Sequence, residues 1–432
     1  MNKNSLFKSN LQAVLTNIIK DTDWILLIVT FGLIYIGLTT LSLSQIAKTY
    51  AQKQEQFIWV GLVLLIMARL LPYKVWLNRS VIISLYIINL ILLITVMVKG
   101  HSAMGAQRWL SLGPITIQPS ELAKIVVIFT LALYLGRYRI HSFFDIIKTG
   151  LIILPPAILV FKQPDLGTSL TFGAVFIGMI YYAGATVTDI GVIISPVLSL
   201  IFNAIDIQYW HYYLIGLMLI LAIFWRRKFW DFKLRALLII LVLIANIGFG
   251  YARPHLWGLL KDYQQKRLTS FINPYTDPKG SGYHILQSLI AIGSGGFMGS
   301  GLGKGNQSQG AFIPERHTDF IYAVISEELG FKISALIIIL YTVLCLRALK
   351  IANLAKNEPT GSILSIGIMC MFLFHVFLNI GMTIGIMPVA GVPLPFLSYG
   401  GTALLVDLFS IGVLESIRGA NSPIKPSDTI IN

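Results

Sequence analysis

The stretch NPYTDPKGSGY, residues 273–283, places one carboxylate, Asp277, among residues that favour turns. Asp followed by Pro and Gly is a common turn signal. A carboxylate within hydrogen-bond reach of a hydroxyl is also a frequent general base, which takes the proton as the oxygen attacks. The local sequence leaves both roles open for Asp277, so the choice depends on where its segment lies.

A second pair of reactive side chains stands in QPSELAK, at the predicted start of a helix. Pro119 suits the first helical turn, and Ser120 is expected to be the N-cap. Glu121 and Lys124 are three residues apart, so they share one helix face and can form an ion pair. Charges at a membrane helix end are functional candidates by default. The plain alternative is an interfacial pair whose lysine reaches the membrane surface.

Two further short connections carry polar groups that could bind a ligand. GAQRWLSLG contains Arg108, whose guanidinium suits a diphosphate. It also contains Trp109, which could instead be an interfacial belt residue. FKQPDLGTSL contains Lys162 and Asp165 around a Pro and a Gly, and alone it predicts a tight turn closed by an ion pair between them.

The glycine-rich run GSGGFMGSGLGKGNQSQG invites comparison with a nucleotide-binding loop. Its spacing fails the P-loop pattern, because Met298 stands where the first glycine belongs and Lys304 is followed by Gly305. We expect these glycines to let backbone N–H groups approach a lipid headgroup instead. Downstream, Glu327 and Glu328 fall inside an apolar run, where buried carboxylates are costly and often functional.

Metal and disulfide chemistry has little support in the sequence. His317 and Asp319 in PERHTDF form a His-x-Asp pair without a second nearby histidine, which is a weak zinc signal. Cys345 and Cys370 both lie in apolar segments and are expected to be buried thiols rather than a disulfide. A divalent cation such as Mg²⁺ or Mn²⁺ is a candidate cofactor, but no ligand set is identified.

The composition predicts that membrane-spanning helices position these residues. The chain is 56% hydrophobic and 12% charged, with a mean hydropathy of +0.76, which excludes an ordinary soluble domain. Its apolar runs have the length of membrane-spanning helices. The predicted spans lie at 24–43, 57–72, 80–98, 120–136, 145–161, 168–184, 189–205, 211–225, 235–251, 319–346, 362–386 and 399–417. The pair within 189–225 is short and could form a re-entrant hairpin instead.

The distribution of Lys and Arg predicts which loops are cytoplasmic. WRRKFWDFKLR and the other short basic loops are placed inside, together with an N-terminal segment 1–23 and a tail 419–432. Residues 253–318 then form one large loop outside, which begins with an amphipathic stretch, HLWGLLKDYQQKRLTSF. The formal charge of +14 is explained by inside-positive loops facing anionic lipid, so we expect no nucleic-acid partner.

Five motifs taken together resemble one family, the SEDS membrane glycosyltransferases, which include RodA, FtsW and SpoVE. They are GAQRWLSLGPITIQPSELAK, KQPDLGTSL, the run from GYHILQS to QSQGAF, PERHTDFIYAVISEELG and MPVAGVPLPFLSYGG. The resemblance extends over residues 24–418, and QSQGAFIPERHTDF is closer to the elongation member than to the division member. It implies an all-α polytopic bundle with a ten-helix core, to which 189–225 adds a helix pair.

The resemblance also implies an activity and a site. It implies a peptidoglycan glycosyltransferase that joins lipid II on the outer face of the bacterial plasma membrane, with both termini cytoplasmic. Asp277 matches the catalytic carboxylate of the family, while Glu121 and Lys124 match residues that line the same cavity. The remaining substrate-binding candidates are Arg108, Trp109, Lys162, Asp165 and Gln287. The expected partners are a class B penicillin-binding protein, other elongation-complex membrane proteins and membrane lipids.

The sequence leaves a second function open, that of a flippase for the same polyprenyl-linked precursor. A flippase needs polar groups along a path through the membrane, whereas a polymerase needs a base at the outer leaflet. The densest polar cluster is predicted outside, which favours the polymerase.

Overall fold

The computed structural model describes residues 20–43, 48–103, 106–112, 115–225, 232–259, 262–278, 280, 282–310 and 312–421. The first half of the bundle contains α1 Trp24–Leu43, α2 Lys48–Leu70, α3 Tyr73–Trp76, α4 Arg79–Lys99, α5 Pro119–Arg137, α6 Phe143–Lys162 and α7 Leu166–Tyr182. It continues with α8 Val187–Ile205, α9 Ile207–Trp225 and α10 Phe232–Tyr251. The remaining helices are α11 Arg253–Leu259, α12 Asp262–Ile272, α13 Tyr283–Gly295, α14 Asn306–Gln309, α15 Ile321–Leu354, α16 Pro359–Thr383 and α17 Gly401–Ala420.

All twelve predicted apolar segments are helical, which confirms the all-α polytopic fold class. The largest boundary differences are at α2, which begins at Lys48 rather than 57, and at α15, which continues to Leu354 rather than 346. The extra turns of α2 are rich in Lys, Gln and Glu, which are good helix formers although they are not apolar. Hydropathy therefore detected the membrane part of each helix and missed its polar extension.

Seven helices within the described residues are long and apolar enough to cross a membrane: α1, α4, α5, α6, α8, α15 and α16. Shorter apolar helices lie at 166–182, 207–221 and 239–251. The chain is thus a multi-pass membrane protein. Helices α5 and α16 are the most enclosed of the seven, and residues of both contribute to the largest apolar core cluster.

A small antiparallel sheet, which the sequence reasoning treated as loop, lies between α4 and α5. Its strands are β1 His101–Ala103, β2 Ala106–Leu112 and β3 Ile115–Ile117, in the order β1-β2-β3. Trp109 pairs with His101, and Leu110 pairs with Ile117. The ladder fixes the backbone of β2 and therefore the positions of Arg108 and Trp109.

Helix α15 is interrupted at Gly330, which has φ 73° and ψ −175°. The turn after α13 satisfies the freed backbone groups: Phe331 N donates to Gly296 O at 2.9 Å and Ser300 N donates to Glu327 O at 2.9 Å. Irregular backbone at membrane depth persists only when protein partners satisfy it in this way. A Cβ at position 330 would come within 2.3 Å of a backbone nitrogen, so glycine is required there.

Helices α8, α9 and α10 pack chiefly on one another and are joined by buried polar side chains. Asn246 Nδ2 donates to Ser195 Oγ at 2.9 Å, and Trp210 Nε1 donates to Ser199 Oγ at 2.8 Å. Tyr213 OH donates to the Ser195 carbonyl at 2.7 Å. The predicted pair within 189–225 is therefore helical, and its status as an insertion stays a prediction.

A buried ionic cluster closes the opposite end of the bundle from the segment 253–318. Asp23, 1% exposed, lies 2.6 Å from Arg347 Nη2 and 2.9 Å from Arg418 Nη1. The Glu415 carboxylate accepts a hydrogen bond from Asp23 N at 3.1 Å. These contacts join α1, α15 and α17 at that end.

Candidate active site

A polar cavity of about 260 Å³ lies where α5 and α17 begin. Its lining contains two arginines and three carboxylates: Arg108, Arg267, Glu121, Glu315 and Asp319. These residues come from β2, α12, α5 and the turn before α15, so distant parts of the chain meet here. The mixture of cations and acids suits a ligand that carries both negative charge and hydroxyl groups.

Asp165 organises one wall of the cavity by capping α7. Its carboxylate accepts from Thr168 N at 3.2 Å, from Thr168 Oγ1 at 3.0 Å and from Ser120 Oγ at 3.2 Å. Arg108 Nη1 lies 3.9 Å from Asp165 Oδ1, and Arg108 Nη2 donates to the Pro164 carbonyl. The guanidinium is thereby held at the cavity wall.

These contacts correct two predictions. Lys162 is exposed and makes no ion pair with Asp165, since the last turn of α6 directs it away and Arg108 is the cation beside that carboxylate. Ser120 is not the N-cap of α5. Gln118 occupies that position, Pro119 follows it, and the Ser120 hydroxyl bonds to Asp165 instead.

The predicted ion pair of Glu121 and Lys124 is present, with Glu121 in the lining of the cavity and Lys124 outside that lining. Lys124 Nζ lies 2.7 Å from Glu121 Oε2 and 3.2 Å from His375 Nε2 on α16. Lys124 and Glu121 are 2% and 4% exposed. This burial rules out the interfacial reading, in which the lysine reaches the membrane surface.

The turn before α15 is fixed to its neighbours through its backbone. Tyr399 N donates to His317 O at 2.8 Å, and Ser398 Oγ donates to Thr318 O at 2.6 Å. The ring of His317 stacks on Tyr50 with centroids 4.0 Å apart. Burial lowers the pKa of His317, so this ring is neutral at physiological pH.

Asp319 and Arg267 meet at Gly391, which has φ +70°. A Cβ at Gly391 would lie 3.5 Å from Asp319 Oδ2 and 3.6 Å from Arg267 Nη1, which are ordinary contact distances, so the positive φ rather than crowding favours glycine there. Burial raises the pKa of Asp319 to about 6, although Arg267 and Arg108 oppose the shift. The cavity thus contains a carboxyl that titrates near neutral pH.

Asp277 lies in a tight turn between α12 and α13, outside the lining of the cavity. Gly282 N donates to the Asp277 carbonyl at 3.0 Å, and the residue is exposed. A Cβ at Gly280 would lie 2.2 Å from Asp277 Oδ2, so the glycine gives room to the carboxylate. The structure therefore shows the turn and leaves the catalytic role of Asp277 a prediction.

The other predicted residues divide between the cavity and its surroundings. Trp109 lines the cavity beside Arg108. Gln287 is half-buried on α13 and does not contribute to that lining. The face of the predicted amphipathic helix includes residues 260–261, which lie outside the described residues, and the flanking segments form α11 and α12.

Two carboxylates of this chain bind N–H groups of the glycine-rich segment, while a role for its glycines at a lipid headgroup stays a prediction. Glu327 accepts from Gln307 N at 2.7 Å and from Ser308 N at 2.8 Å. Glu328 accepts from Gly303 N at 3.0 Å. The buried acids of α15 are therefore internal anchors for this loop.

An apolar chamber of about 490 Å³ lies beside the polar cavity, between α2, α4, α5 and α17. The two share Phe57, Thr116 and Thr402 in their linings. Most other residues of the chamber are Leu, Ile, Val and Phe. A ligand with a charged head and a hydrocarbon chain could occupy both at once.

Among the described residues, no three His, Cys, Asp or Glu side chains are grouped closely enough to hold a metal ion. A divalent cation therefore stays a prediction without an assigned site. The two cysteines are free thiols, and both are partly buried rather than fully buried as the sequence predicted.

Sequence reasoning missed three residues of this site: Arg267, Asp319 and His375. His375 carried a usable signal, because a histidine inside an apolar run is unusual in a membrane helix. Asp319, noted only as a weak zinc ligand, directly precedes an apolar run as Glu121 does. Arg267 carried no such signal among the other polar residues of its segment.

The chain matches a family model described as "Cell cycle protein" for FtsW, RodA and SpoVE, over residues 21–219 and 211–422. It is 36% identical to the peptidoglycan glycosyltransferase MrdB of Escherichia coli strain K12, over 91% of this chain and 92% of that protein. It is 32% identical to the peptidoglycan glycosyltransferase RodA of Treponema pallidum, over 93% and 98%.

Solved structures share the architecture. One, described as "Structural coordination of polymerization and crosslinking by a peptidoglycan synthase complex", aligns with a TM-score of 0.67 and 28% identity, over 93% of this chain and 99% of that chain. The rod shape determining protein RodA of Thermus thermophilus aligns with a TM-score of 0.60 over 93% and 98%. At 23% identity, the second match supports the fold alone.

Proposed function

Because the chain belongs to the FtsW, RodA and SpoVE family and its relatives include peptidoglycan glycosyltransferases, we propose that it polymerises lipid II into glycan strands during cell elongation. The enzyme class is peptidoglycan glycosyltransferase. The observation that carries the proposal is the junction of a charged cavity with an apolar chamber at one end of the bundle. Lipid II has matching parts, since it joins sugars to a polyprenyl chain through a diphosphate.

The donor substrate fits this junction with its prenyl chain in the apolar chamber and its diphosphate in the polar cavity. Arg108 presents a guanidinium that Asp165 and the Pro164 carbonyl hold in place. A planar guanidinium suits bidentate contact with phosphate oxygens. Cations fixed in advance also stabilise the charge that develops on the departing polyprenyl diphosphate.

The reaction needs a base for the acceptor sugar, and Asp277 is our candidate. As the acceptor hydroxyl oxygen bonds to the anomeric carbon of the donor, its proton passes to the Asp277 carboxylate. The bond from the anomeric carbon to the diphosphate oxygen breaks, and the electron pair leaves with the diphosphate. Because Asp277 lies outside the cavity lining, the proposal requires the turn between α12 and α13 to approach the bound substrate.

The flippase alternative is less consistent with the distribution of polar groups. The cavity and its charged residues lie at one end of the bundle, where Glu121, which pairs with Lys124, is part of the cavity lining. The other end is closed by the ion pairs of Asp23 with Arg347 and Arg418. A transport path would need a polar route between these ends, whereas a polymerase needs only the cavity.

The experiment that tests the proposal is polymerisation of purified lipid II by the purified protein and its Asp277→Asn variant. Asn is nearly isosteric and still favours a turn, so the variant should fold but polymerise poorly. Loss of a general base typically lowers the rate by about 10²–10⁴-fold. Asp262→Asn, an exposed carboxylate on α12, is the matched control and should keep the wild-type rate. A rate for Asp277→Asn within about tenfold of wild type would show that Asp277 is a turn residue and not the general base.

We further propose that the protein works beside a class B penicillin-binding protein in the bacterial plasma membrane. The proposal is supported by the similarity to a structure that coordinates polymerisation with crosslinking. The inside-positive pattern supports cytoplasmic termini and an outer position for residues 253–318. Other elongation-complex proteins, membrane lipids and a divalent cation remain proposed partners of the same assembly.

A further inference from the structure

Asp319 is a cavity carboxylate with no role in the reaction described above. It lines the cavity, and its backbone is fixed, since Asn379 Nδ2 donates to its carbonyl at 3.0 Å. Among the described residues, its side-chain oxygens accept no hydrogen bond and lie within ion-pair distance of no cation. Its carboxylate is therefore available to a ligand in the cavity.

The charged groups around Asp319 come from four elements. Arg267 extends from α12, Arg108 from β2, Asp165 from the start of α7, and Glu315 from the same turn as Asp319. Glu121 of α5 lines the same cavity. Glu315 already accepts from Thr318 Oγ1 at 3.2 Å, and Asp165 and Glu121 have the cation partners given above. Within the described part of the chain, Asp319 therefore differs from the other acids of the cavity in having neither a side-chain hydrogen bond nor an ion pair at contact distance, although Arg267 and Arg108 act on it electrostatically.

A bound diphosphate changes the charge balance at this position. The diphosphate of lipid II carries about two negative charges, and Arg108, one of the two arginines of the cavity, already faces the Asp165 carboxylate. An ionised Asp319 would add a third negative charge beside the phosphate oxygens, in a poorly solvated place where like charges disfavour ionisation. A protonated Asp319 instead provides an O–H donor, and O–H donors to anionic oxygens form short, strong hydrogen bonds.

We propose that Asp319 takes up a proton when the polyprenyl diphosphate binds and donates a hydrogen bond to it as a neutral carboxylic acid. This inference rests on the proposed function only in placing a diphosphate in the cavity. It makes Asp319 a further substrate-binding residue of the reaction, distinct from Asp277, which must be ionised to act as a base.

The titration of the free protein fits this role. With its pKa raised to about 6 by burial, Asp319 is mostly ionised at pH 7 before binding, so the bound diphosphate must raise this pKa further for Asp319 to stay protonated in the complex. Binding that raises this pKa must consume protons, so affinity is highest at low pH and falls as pH rises above 6. With that pKa in the free protein, the affinity for the diphosphate should fall about ninefold between pH 7 and pH 8, provided that Asp319 stays protonated in the complex.

The test is calorimetric binding of farnesyl diphosphate, a short prenyl diphosphate, to the purified full-length protein and to Asp319→Asn. Measuring the heat at pH 7 in buffers of different ionisation enthalpy gives the number of protons taken up. Asn keeps an N–H donor but cannot titrate. We expect wild type to take up about 0.9 proton more than the variant, because the pKa of Asp319 in the free protein is about 6. The variant should also lose the ninefold pH dependence and still bind.

Asp262→Asn is the control, because this exposed acid of α12 does not line the cavity and should leave the proton uptake unchanged. Equal uptake by wild type and Asp319→Asn would overturn the proposal, as would an equal loss of uptake in Asp262→Asn. The pH dependence of affinity is compared between wild type and Asp319→Asn, because the terminal phosphate of farnesyl diphosphate also titrates near neutral pH. Because the assay follows binding alone, a polymerase that fails to make glycan yet shows this uptake would contradict only the proposed function.

Discussion

Removing the charge of Lys124 should destabilise the protein far more than removing that of a similar exposed lysine. In Lys124→Met the apolar stem is kept, but Glu121, 4% exposed, loses the cation that lies 2.7 Å away. His375 Nε2 also loses a neighbour at 3.2 Å. Breaking a buried ion pair by removing one partner costs about 3–5 kcal/mol, because the other charge remains unpaired in a poorly solvated place.

The assay is the free energy of unfolding of purified variants in detergent micelles. Lys148→Met is the control, because Lys148 has the same three-residue spacing to Asp145 but is 65% exposed. Such exposed pairs contribute only about 0–1 kcal/mol. The double variant Lys124→Met with Glu121→Gln should recover most of the loss, because it replaces both charges with neutral side chains of similar shape.

Two results would refute the reasoning. A cost below about 1 kcal/mol for Lys124→Met would mean that water reaches the pair in the working protein. A double variant as unstable as the single one would mean that packing, and not charge, sets the cost. The double variant also separates stability from function. If it is stable but polymerises lipid II slowly, Lys124 acts on the substrate. If it polymerises at the normal rate, the pair has only a structural role.

Three further outcomes are expected. A Tyr275→Cys variant, changed at an exposed residue, should react with a membrane-impermeant thiol reagent in intact cells, and reaction only after permeabilisation would reverse the proposed topology. Glu327→Gln should increase amide hydrogen exchange of Gln307 and Ser308, whose N–H groups lose charge-assisted bonds of about 1.5–3 kcal/mol each, and unchanged exchange would show that the carboxylate does not anchor the loop. Polymerisation should be faster with a cognate class B penicillin-binding protein than without it, and equal rates would argue against activation by that partner.

The glycine-rich segment shows a limit of sequence reasoning. Its composition correctly indicated that backbone N–H groups are exposed to an anionic group. The sequence could not tell whether that group is a ligand or part of the chain. The acceptors are Glu327 and Glu328, brought there because the turn at 296–301 fills the break at Gly330.

Asp165 shows the same limit over a longer range. Its nearest cation in sequence is Lys162, and the sequence analysis predicted an ion pair between these two residues across a tight turn. The structure places Arg108 beside Asp165 instead, because the sheet at 101–117 carries β2 against the start of α7. The sheet itself was missed, since its short strands contain few residues and interrupt an otherwise helical pattern.

By itself the sequence determined the apolar spans, the family motifs and the ion pair of Glu121 with Lys124. These features depend on hydropathy within one segment or on a spacing within one helical turn, and local chemistry is enough to predict them. Only the tertiary structure decided that Arg108, Arg267 and Asp319 share one cavity and that His375 contacts Lys124. Their segments are far apart in sequence, and the packing of the helices, which no local pattern encodes, brings them together.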